Sequence, residues 1–397
     1  MRILFINHVF PGIFGPLAAA LASDPGNDVI FASIHSKRDF AIPGVRHMVL
    51  PPVRGDRAGR AGKNAFNDAG MALTLALQTG RQALQAFRRL RESGFVPDMV
   101  LSFAGEASAL FWQEAFPRAF RVCWSDGEPA QPGRTAQGAS LARHLLHCRQ
   151  ALDSDLCVSL TAGQPSLTGL RLTGGADLPH AVDTVFFCPG AATPPETLRA
   201  GTAVAECVLF CVGSHSLAHA GLPGRLAALL EARPHCHIFL LCGSLTPAPL
   251  WAEACAALPH RERLHLPGGL SLAEYRALLR TARLVVFPHR GDVPPAPLLE
   301  AMSCGTAVLL PADMPPSPLL RPGRDMLLAQ GPHPEAALLA QAPLLEAVGK
   351  HARQTVLDSF DRKIVLPQHV RLLRQAHAAW QREQGQAAPA APHDDAE

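Results

Sequence analysis

Charge imbalance, long apolar runs and paired cysteine motifs are all scarce in this 397-residue sequence. Its 36 lysines and arginines against 33 aspartates and glutamates give a formal net charge of +3, which implies no nucleic-acid partner. No apolar run approaches the ~20 residues of a membrane-spanning helix, although 48% of the residues are hydrophobic. The ten cysteines contain no CxxC pair. We therefore predict small buried thiols in a reducing cytosol, rather than disulfides or a zinc site.

Lysine is also scarce. The lysines are Lys37, Lys63, Lys350 and Lys363, and the other basic residues are arginines. No lysine between Lys63 and Lys350 could hold a pyridoxal aldehyde, which argues against a phosphorylase that uses that cofactor.

Alternating strand and helix patterns predict an α/β protein. The length is sufficient for two domains, each with its own core. The opening MRILFINHVF is too short and, at Asn7 and His8, too polar for a signal peptide, and Arg2 to Ile6 predicts a buried first strand. A glycine-containing loop and an apolar helix follow, but Gly12 and Gly15 do not complete the GxGxxG of a dinucleotide site. The Pro-, Ala- and Gly-rich segment 189–203 predicts a linker to the second domain.

The stretch from His265 to Ala312 has the strand–loop–helix–strand order of an open parallel sheet. Ser271 is predicted to N-cap a helix and to form a capping box with Glu274. The apolar face of that helix holds Leu272, Tyr275, Leu278 and Leu279. Leu284 to Pro288 predicts a strand buried on both faces. The loop His289 to Pro297 should then lie at the carboxyl edge of the sheet, where such sheets bind ligands, and Leu298 to Ser303 predicts the first turns of the next helix.

Two carboxylates, Asp292 and Glu300, flank this loop at a spacing of eight residues. Carboxylates accept hydrogen bonds from hydroxyls, and the N–H groups of a helix start donate to phosphate. The pair therefore suits a ligand with both groups. The alternative is that Glu300 caps its own helix and Asp292 is a solvated loop acid.

The residues LLEAMSCGTAVLL, with an acid eight positions before the glutamate, resemble the signature of bacterial, retaining family-4 (group 1) glycosyltransferases of the GT-B fold. Glu300, Ala301, Met302 and Gly305 match that signature. Asp292 replaces the usual glutamate, and the residues Val293-Pro294-Pro295 replace a Gly-Phe-Gly. Segments 179–189 and 351–373 are similar to the family's interdomain junction and to its carboxyl-terminal helix, and Pro367 is predicted to break that helix.

The resemblance implies two Rossmann-like domains facing a cleft. It implies an acceptor domain at 1–188, the linker at 189–203, a nucleotide-sugar domain at 204–350 and a helix at 351–380 that crosses back to the first domain. A disordered tail is predicted at 384–397. The implied activity is metal-independent, retaining sugar transfer from a nucleotide-sugar to a glycan, lipid or protein acceptor, with no cofactor. The implied location is the cytoplasm. Arginines near residues 81–91 suggest peripheral contact with the inner membrane.

The resemblance also implies roles for individual residues. Glu300 would receive the ribose hydroxyls and Asp292 the sugar hydroxyls, and both are assigned to the catalytic site. On the acceptor side we assign Gly12, Gly15 and Glu106, of which Glu106 could instead be only a helix-start acid. The donor-binding assignments are Gly213, Ser214, His215, Arg225, Arg290, Val293 and Ala296, and no metal ligands are assigned.

The chain departs from the family where the diphosphate would bind. The family places basic residues just after the first glycine of the second domain, whereas here no Lys or Arg stands between Gly213 and Arg225. Losing two charge-assisted hydrogen bonds would cost about 3–6 kcal/mol. His215, His219, Arg225 and Arg290 could compensate. The alternative functions are a degenerate, non-catalytic GT-B binding protein and a nucleotide-sugar epimerase.

Overall fold

The computed structural model describes residues 1–36, 40–53, 69–125, 139–160, 175–191, 206–212, 221–242, 252–253, 255–267, 270–289, 295–314, 318–331 and 333–386. The chain divides into two compact units. The first unit runs to Leu178 and takes up the chain again at Leu366, and the second spans Pro179–Val365.

A parallel sheet forms the centre of the first unit, in the order β5-β3-β1-β6-β7-β8-β9. The strands of this unit are β1 (Arg2–Ile6), β2 (Val9–Phe10), β3 (Asp28–Ser33), β4 (His35–Ser36), β5 (Val45–Val49), β6 (Met99–Phe103), β7 (Phe120–Ser125), β8 (Leu156–Ser159) and β9 (Gly175–Asp177). The short strands β2 and β4 pair with each other. Its helices include α1 (Gly15–Ala22), α2 (Ala69–Glu92), α3 (Trp112–Ala115) and α4 (Ala139–Leu152).

Strand β1 shows why this sheet is buried on both faces. Ile3 and Phe5 belong to the hydrophobic cluster on one face, and Leu4 and Ile6 to the cluster on the other. All four side chains are 0% exposed. A continuous apolar run is what a parallel strand covered by helices on both sides requires.

The second unit has a parallel sheet in the order β12-β11-β10-β13-β14-β15. Its strands are β10 (Glu206–Val212), β11 (Cys236–Cys242), β12 (Leu264–His265), β13 (Leu284–Val286), β14 (Ala307–Leu310) and β15 (Leu327–Leu328). The helices are α5 (Gly221–Ala232), α6 (Leu272–Thr281), α7 (Pro295–Ser303), α8 (Pro334–Leu339), α9 (Ala342–Ser359) and α10 (Arg362–Gln386), the last continuing into the first unit. The predicted pair of Rossmann-like α/β domains is confirmed.

The carboxyl-terminal helices break at a different place from the one predicted. The sequence suggested a break near Pro367, but α9 ends at Ser359 and α10 runs through Pro367. The Asp361 side chain accepts a hydrogen bond from the Lys363 N–H at 2.7 Å and so caps the start of α10. Helix α10 extends to Gln386, past the predicted start of the tail, and residues 387–397 lie outside the described residues.

Candidate functional site

The predicted donor site lies at the carboxyl edge of the second sheet, where β10 and β13 are neighbours. The loops that follow these two strands carry much of that site. Gly213, Ser214, His215, His219, Arg290, Asp292 and Val293 lie outside the described residues, so their roles stay predictions. The described members of the site are Ala296, Glu300 and Arg225.

Helix α7 begins at Pro295, three residues earlier than the predicted start at Leu298. Proline suits the first turn of a helix because an N–H there has no partner within the helix. Ala296 is therefore the second residue of α7. Its backbone N–H is one of those that a helix start leaves for a ligand such as a phosphate, although the assignment of Ala296 to the donor site stays a prediction.

Glu300 lies in the middle of α7, not in its first turn, so it does not cap its own helix. The next two residues, Ala301 and Met302, are fully buried in the core, whereas Glu300 is half-buried. The phenol oxygen of Tyr275 on α6 donates a hydrogen bond to Oε2 of Glu300 at 2.9 Å. The carboxylate is thus oriented by a neighbouring helix.

Three groups that interact with the Glu300 carboxylate are neutral. Burial, and then the charge of Glu300, holds the pKa of Tyr275 well above its usual range. Burial is also the main cause that raises the pKa of Cys211, at the end of β10, to about 12, and the charge of Glu300 adds to it. Burial raises the pKa of Cys304 to about 12, with nearby Arg280 opposing the shift. All three groups stay protonated at neutral pH and add no charge beside Glu300.

Helix α6 is fixed at both ends. The predicted capping box is confirmed: Glu274 N–H donates to Ser271 Oγ at 3.2 Å, and Ser271 N–H donates to Glu274 Oε2 at 2.8 Å. Near the other end, Arg280 Nε donates to the Cys188 carbonyl at 2.7 Å. The Tyr275 ring packs edge-on against Phe187, with ring centroids 6.0 Å apart. The phenol that contacts Glu300 is therefore carried by a constrained helix.

Two glycines allow the chain to turn and pack behind α7. Gly305 ends the helix with φ of +79°, and its N–H donates to the Met302 carbonyl at 2.9 Å. On α9, a Cβ added at Gly349 would collide with the Gly305 carbonyl oxygen. Gly305 of the AMxxG pattern thus serves the geometry that places Glu300, through its left-handed conformation.

Arg225 has a partner that the sequence did not reveal. Its guanidinium binds Oε1 of Glu335 on α8 through a hydrogen bond and an ion pair. The Arg225 side chain is 15% exposed and that of Glu335 only 1%. Among the described residues, Oε2 of Glu335 has no hydrogen-bond partner. This pairing assigns Arg225 a structural contact, and its predicted donor-binding role remains untested.

The two glycines assigned to the acceptor side form the turn after β2. Gly12 has φ of +49°, and a Cβ there would lie 2.6 Å from the Val9 carbonyl oxygen and would also collide with the Asn7 side chain. The Gly15 N–H donates to the Gly12 carbonyl at 3.3 Å as α1 begins. The conformation of Gly12 therefore requires glycine for steric reasons, whatever ligand the loop contacts.

Glu106 follows the carboxyl end of β6 and is 8% exposed. Its Oε1 accepts from the Ser108 N–H at 3.2 Å and caps a short 3₁₀ helix at Ala107–Ala109. Its carbonyl accepts a hydrogen bond from the Gln150 side chain, which also accepts from the Gly105 N–H at 2.6 Å. This geometry corresponds to the helix-start alternative, and binding of an acceptor by Glu106 stays a prediction.

The helical pattern of the sequence places Tyr275 on an apolar face and assigns no role to its hydroxyl. One signal was available: Tyr275 is the single tyrosine of the chain. A buried phenol needs a hydrogen-bond partner, so a lone tyrosine on a core-facing stripe points to a polar group nearby. Its partner could not be read from the sequence, because Glu300 lies on a different helix 25 residues away.

The described residues contain no group of three or more His, Cys, Asp or Glu side chains arranged to hold a metal ion. They also contain no helix long and apolar enough to cross a membrane.

Comparisons with known proteins agree with this architecture. Residues 25–126 match the family model described as "Glycosyl transferase family 4 group", and residues 206–346 match "Glycosyl transferases group 1". No curated protein matches the sequence. Sucrose-phosphate synthase from Thermosynechococcus elongatus is similar in structure, with a TM-score of 0.69 at 18% identity over 96% of this chain and 100% of that one.

Two further solved structures have the same fold. Anabaena HepE in complex with UDP-glucose has a TM-score of 0.66 at 15% identity, over 94% of this chain and 100% of that one. A protein from Listeria monocytogenes described as "putative UDP-N-acetylglucosamine 2-epimerase" has a TM-score of 0.56 at 14% identity, over 93% of this chain and 94% of that one. The fold is therefore that of the GT-B proteins, and both family models that match parts of the chain describe glycosyltransferases.

Proposed function

We propose that the protein transfers a sugar from a nucleotide-sugar to a glycan, lipid or protein acceptor with retention of configuration and without a metal ion. The observation that carries the proposal is the position of Glu300. Glu300 lies within residues 206–346, which match the group 1 family model, and the Tyr275 hydroxyl orients its carboxylate by a hydrogen bond of 2.9 Å to Oε2. A carboxylate held in this way can accept hydrogen bonds from the two ribose hydroxyls of a donor.

Breaking the glycosidic bond leaves negative charge on the nucleoside diphosphate. The N–H groups at the start of α7, including that of Ala296, can stabilise this charge. The proposal assigns Asp292 to orient the sugar hydroxyls and Arg290, His215 and His219 to supply cations. No metal enters the proposed reaction, since the family resemblance implies that N–H groups and basic side chains serve instead.

The donor class is the part of the proposal that can be tested first. HepE was solved with UDP-glucose bound, so UDP-sugars are the first probes and ADP- and GDP-sugars follow. Calorimetric titration of the wild-type protein should give micromolar binding to one of them. Glu300→Ala should weaken that binding by at least about tenfold, because a charge-assisted hydrogen bond contributes roughly 1.5–3 kcal/mol. It should also abolish transfer.

A matched control tests whether the effect is specific to the carboxylate of Glu300. Glu346 is an exposed acid of the same unit, paired with Lys350 on α9. Glu346→Ala should leave donor binding and turnover unchanged. Unchanged turnover in Glu300→Ala would refute the proposal.

The missing basic residues after Gly213 favour a second candidate, a non-catalytic GT-B binding protein. It differs from the first in showing ligand binding without transfer or donor hydrolysis. An epimerase would instead convert the donor sugar with no acceptor present.

We also propose a cytoplasmic location with peripheral membrane contact, supported by exposed arginines on α2 such as Arg81, Arg88 and Arg89. Failure of the protein to co-sediment with anionic vesicles would contradict that contact.

A further inference from the structure

Tyr275 reaches from one helix to the acidic residue of another. It lies on α6, and its hydroxyl donates to Oε2 of Glu300 on α7 at 2.9 Å. Both helices connect strands of the second parallel sheet: α6 lies between β12 and β13 in the chain, and α7 lies between β13 and β14. The contact joins elements that meet at the predicted nucleotide edge, and its acceptor is the residue that carries the proposed function.

The phenol is well constrained. The capping box fixes the start of α6, and Arg280 ties its end to the Cys188 carbonyl at 2.7 Å. Between them, Arg276 lies over the Phe186 ring at 4.3 Å. The Tyr275 ring also packs edge-on against Phe187, so its hydroxyl is held toward one oxygen of Glu300 before a ligand binds.

A neutral partner suits this task. The phenol orients the carboxylate and leaves its charge unchanged, so the carboxylate can still accept hydrogen bonds from ligand hydroxyls. Burial and the nearby charge hold the pKa of Tyr275 well above its usual range, so the hydroxyl remains a donor throughout the neutral pH range.

We infer that Tyr275 is a positioning residue for the nucleotide: acting through Glu300, it sets the preference for a ribose over a 2′-deoxyribose. This inference rests on the proposed function, in which Glu300 receives the ribose hydroxyls. The competing explanation is that the hydroxyl only satisfies a buried phenol. A structural role of that kind would weaken all ligands equally, whereas a positioning role acts selectively on the ribose.

The test compares UDP with 2′-deoxy-UDP by calorimetry, using the matched ADP and GDP pairs if UDP does not bind. The wild type should prefer the ribonucleotide by about tenfold or more, as expected for hydroxyls bound to a charged group. In Tyr275→Phe, which keeps the ring and its packing, that preference should fall to roughly threefold or less, since a carboxylate that is no longer oriented loses most of its discrimination.

The matched control is Thr281→Val, which also removes one hydroxyl from α6. Thr281 Oγ1 donates to the Ala277 carbonyl within the same helix at 2.8 Å. It should keep the wild-type ribose preference. Thermal melts of both variants confirm that they are folded.

A spectroscopic signature reports the contact without any ligand. With tyrosine labelled at Cζ with ¹³C, the chain gives one resonance because it contains one tyrosine. That resonance should move in Glu300→Ala, whereas it should stay in place in Thr281→Val. An unmoved resonance in Glu300→Ala would overturn the inference.

The outcomes separate the two proposals. Ribonucleotide binding with the same preference in Tyr275→Phe overturns the role of Tyr275 and leaves the proposed function standing. A wild type that binds UDP and 2′-deoxy-UDP equally also overturns the inference. If no nucleotide binds the wild type, the proposed function fails and the inference fails with it, even if the labelled resonance shows that the hydrogen bond exists.

Discussion

Substitutions in the ion pair between Arg225 and Glu335 test whether Arg225 has a structural role or binds the donor. The sequence placed Arg225 at the donor diphosphate, whereas the structure pairs it with Glu335. Single variants Arg225→Met and Glu335→Leu each remove one partner. The double variant replaces both with apolar side chains of similar size. The four proteins form a cycle that measures the coupling of the pair.

The magnitude follows from the burial of the two side chains. Arg225→Met leaves a carboxylate that is 1% exposed without its cation. Removing one partner from a buried pair costs about 3–5 kcal/mol, and we expect about 3 because 15% of Arg225 already reaches solvent. That corresponds to roughly 6–12 °C in the melting temperature of a domain of this size. The double variant should recover most of the loss, since apolar replacement of such a pair is often neutral.

Calorimetric melting measures the stability. Titration with the nucleotide-sugar that the wild-type protein binds measures the function. Lys350→Ala serves as the control because its ion pair with Glu346 is 73% and 68% exposed and should contribute less than about 1 kcal/mol. If the contact is only structural, the double variant binds the donor as tightly as the wild type. A double variant that is stable but binds at least about tenfold more weakly would show that Arg225 also serves the diphosphate.

A melting temperature of Arg225→Met within about 1 °C of the wild type would refute the reasoning from burial. It would mean that the Glu335 carboxylate is not committed to Arg225. Arg225 would then be available to bind the donor diphosphate.

The single tyrosine also gives a pH prediction, because the pKa of Tyr275 is raised in the folded protein. The stability that the protonated phenol provides is complete below about pH 10, the usual pKa of tyrosine. That stability is lost as the pH rises toward the pKa that Tyr275 has in the folded protein. Absorbance at 295 nm should therefore stay flat through pH 10 and rise only with unfolding; a simple titration near pH 10 in the folded protein would contradict this. Gly12→Ala should destabilise the first unit by about 1–3 kcal/mol, because Gly12 has positive φ and a Cβ would collide with Asn7; a melting temperature equal to that of Gly26→Ala, at a glycine without positive φ, would count against it.

Local signals predicted the elements that depend on nearby residues. The capping box at Ser271 and Glu274 spans three positions, and the structure contains it. The buried strand from Leu284 was evident from its apolar run, because a parallel strand buried on both faces has no other composition. Helix boundaries were less certain. The boundaries predicted from prolines were wrong at both α7 and α10. Pro295 and Pro297 lie in the first turn of α7, where a proline costs little, whereas Pro367 lies inside α10, which continues through it.

Contacts between distant residues could not be predicted in the same way. Arg225 and Glu335 are 110 residues apart, and Tyr275 and Glu300 are 25 apart on different helices. The sequence shows the chemical type of each residue, but which two residues pair depends on how the helices pack on the sheet. The pattern of types predicted that a carboxylate would be at the site, but not which side chain would orient it.

The pairing of Arg225 sharpens the question raised by the missing basic residues. Arg225 is the first Lys or Arg after Gly213, and its charge is already matched by a buried carboxylate. Neutralisation of the diphosphate would then depend on the start of α7 together with His215, His219 and Arg290. Of these side chains only Arg290 is charged regardless of pH, since histidine is mostly neutral above its usual pKa of about 6.5. An active transferase therefore depends most on Arg290, and a non-catalytic protein is the expected result if Arg290 does not face the donor.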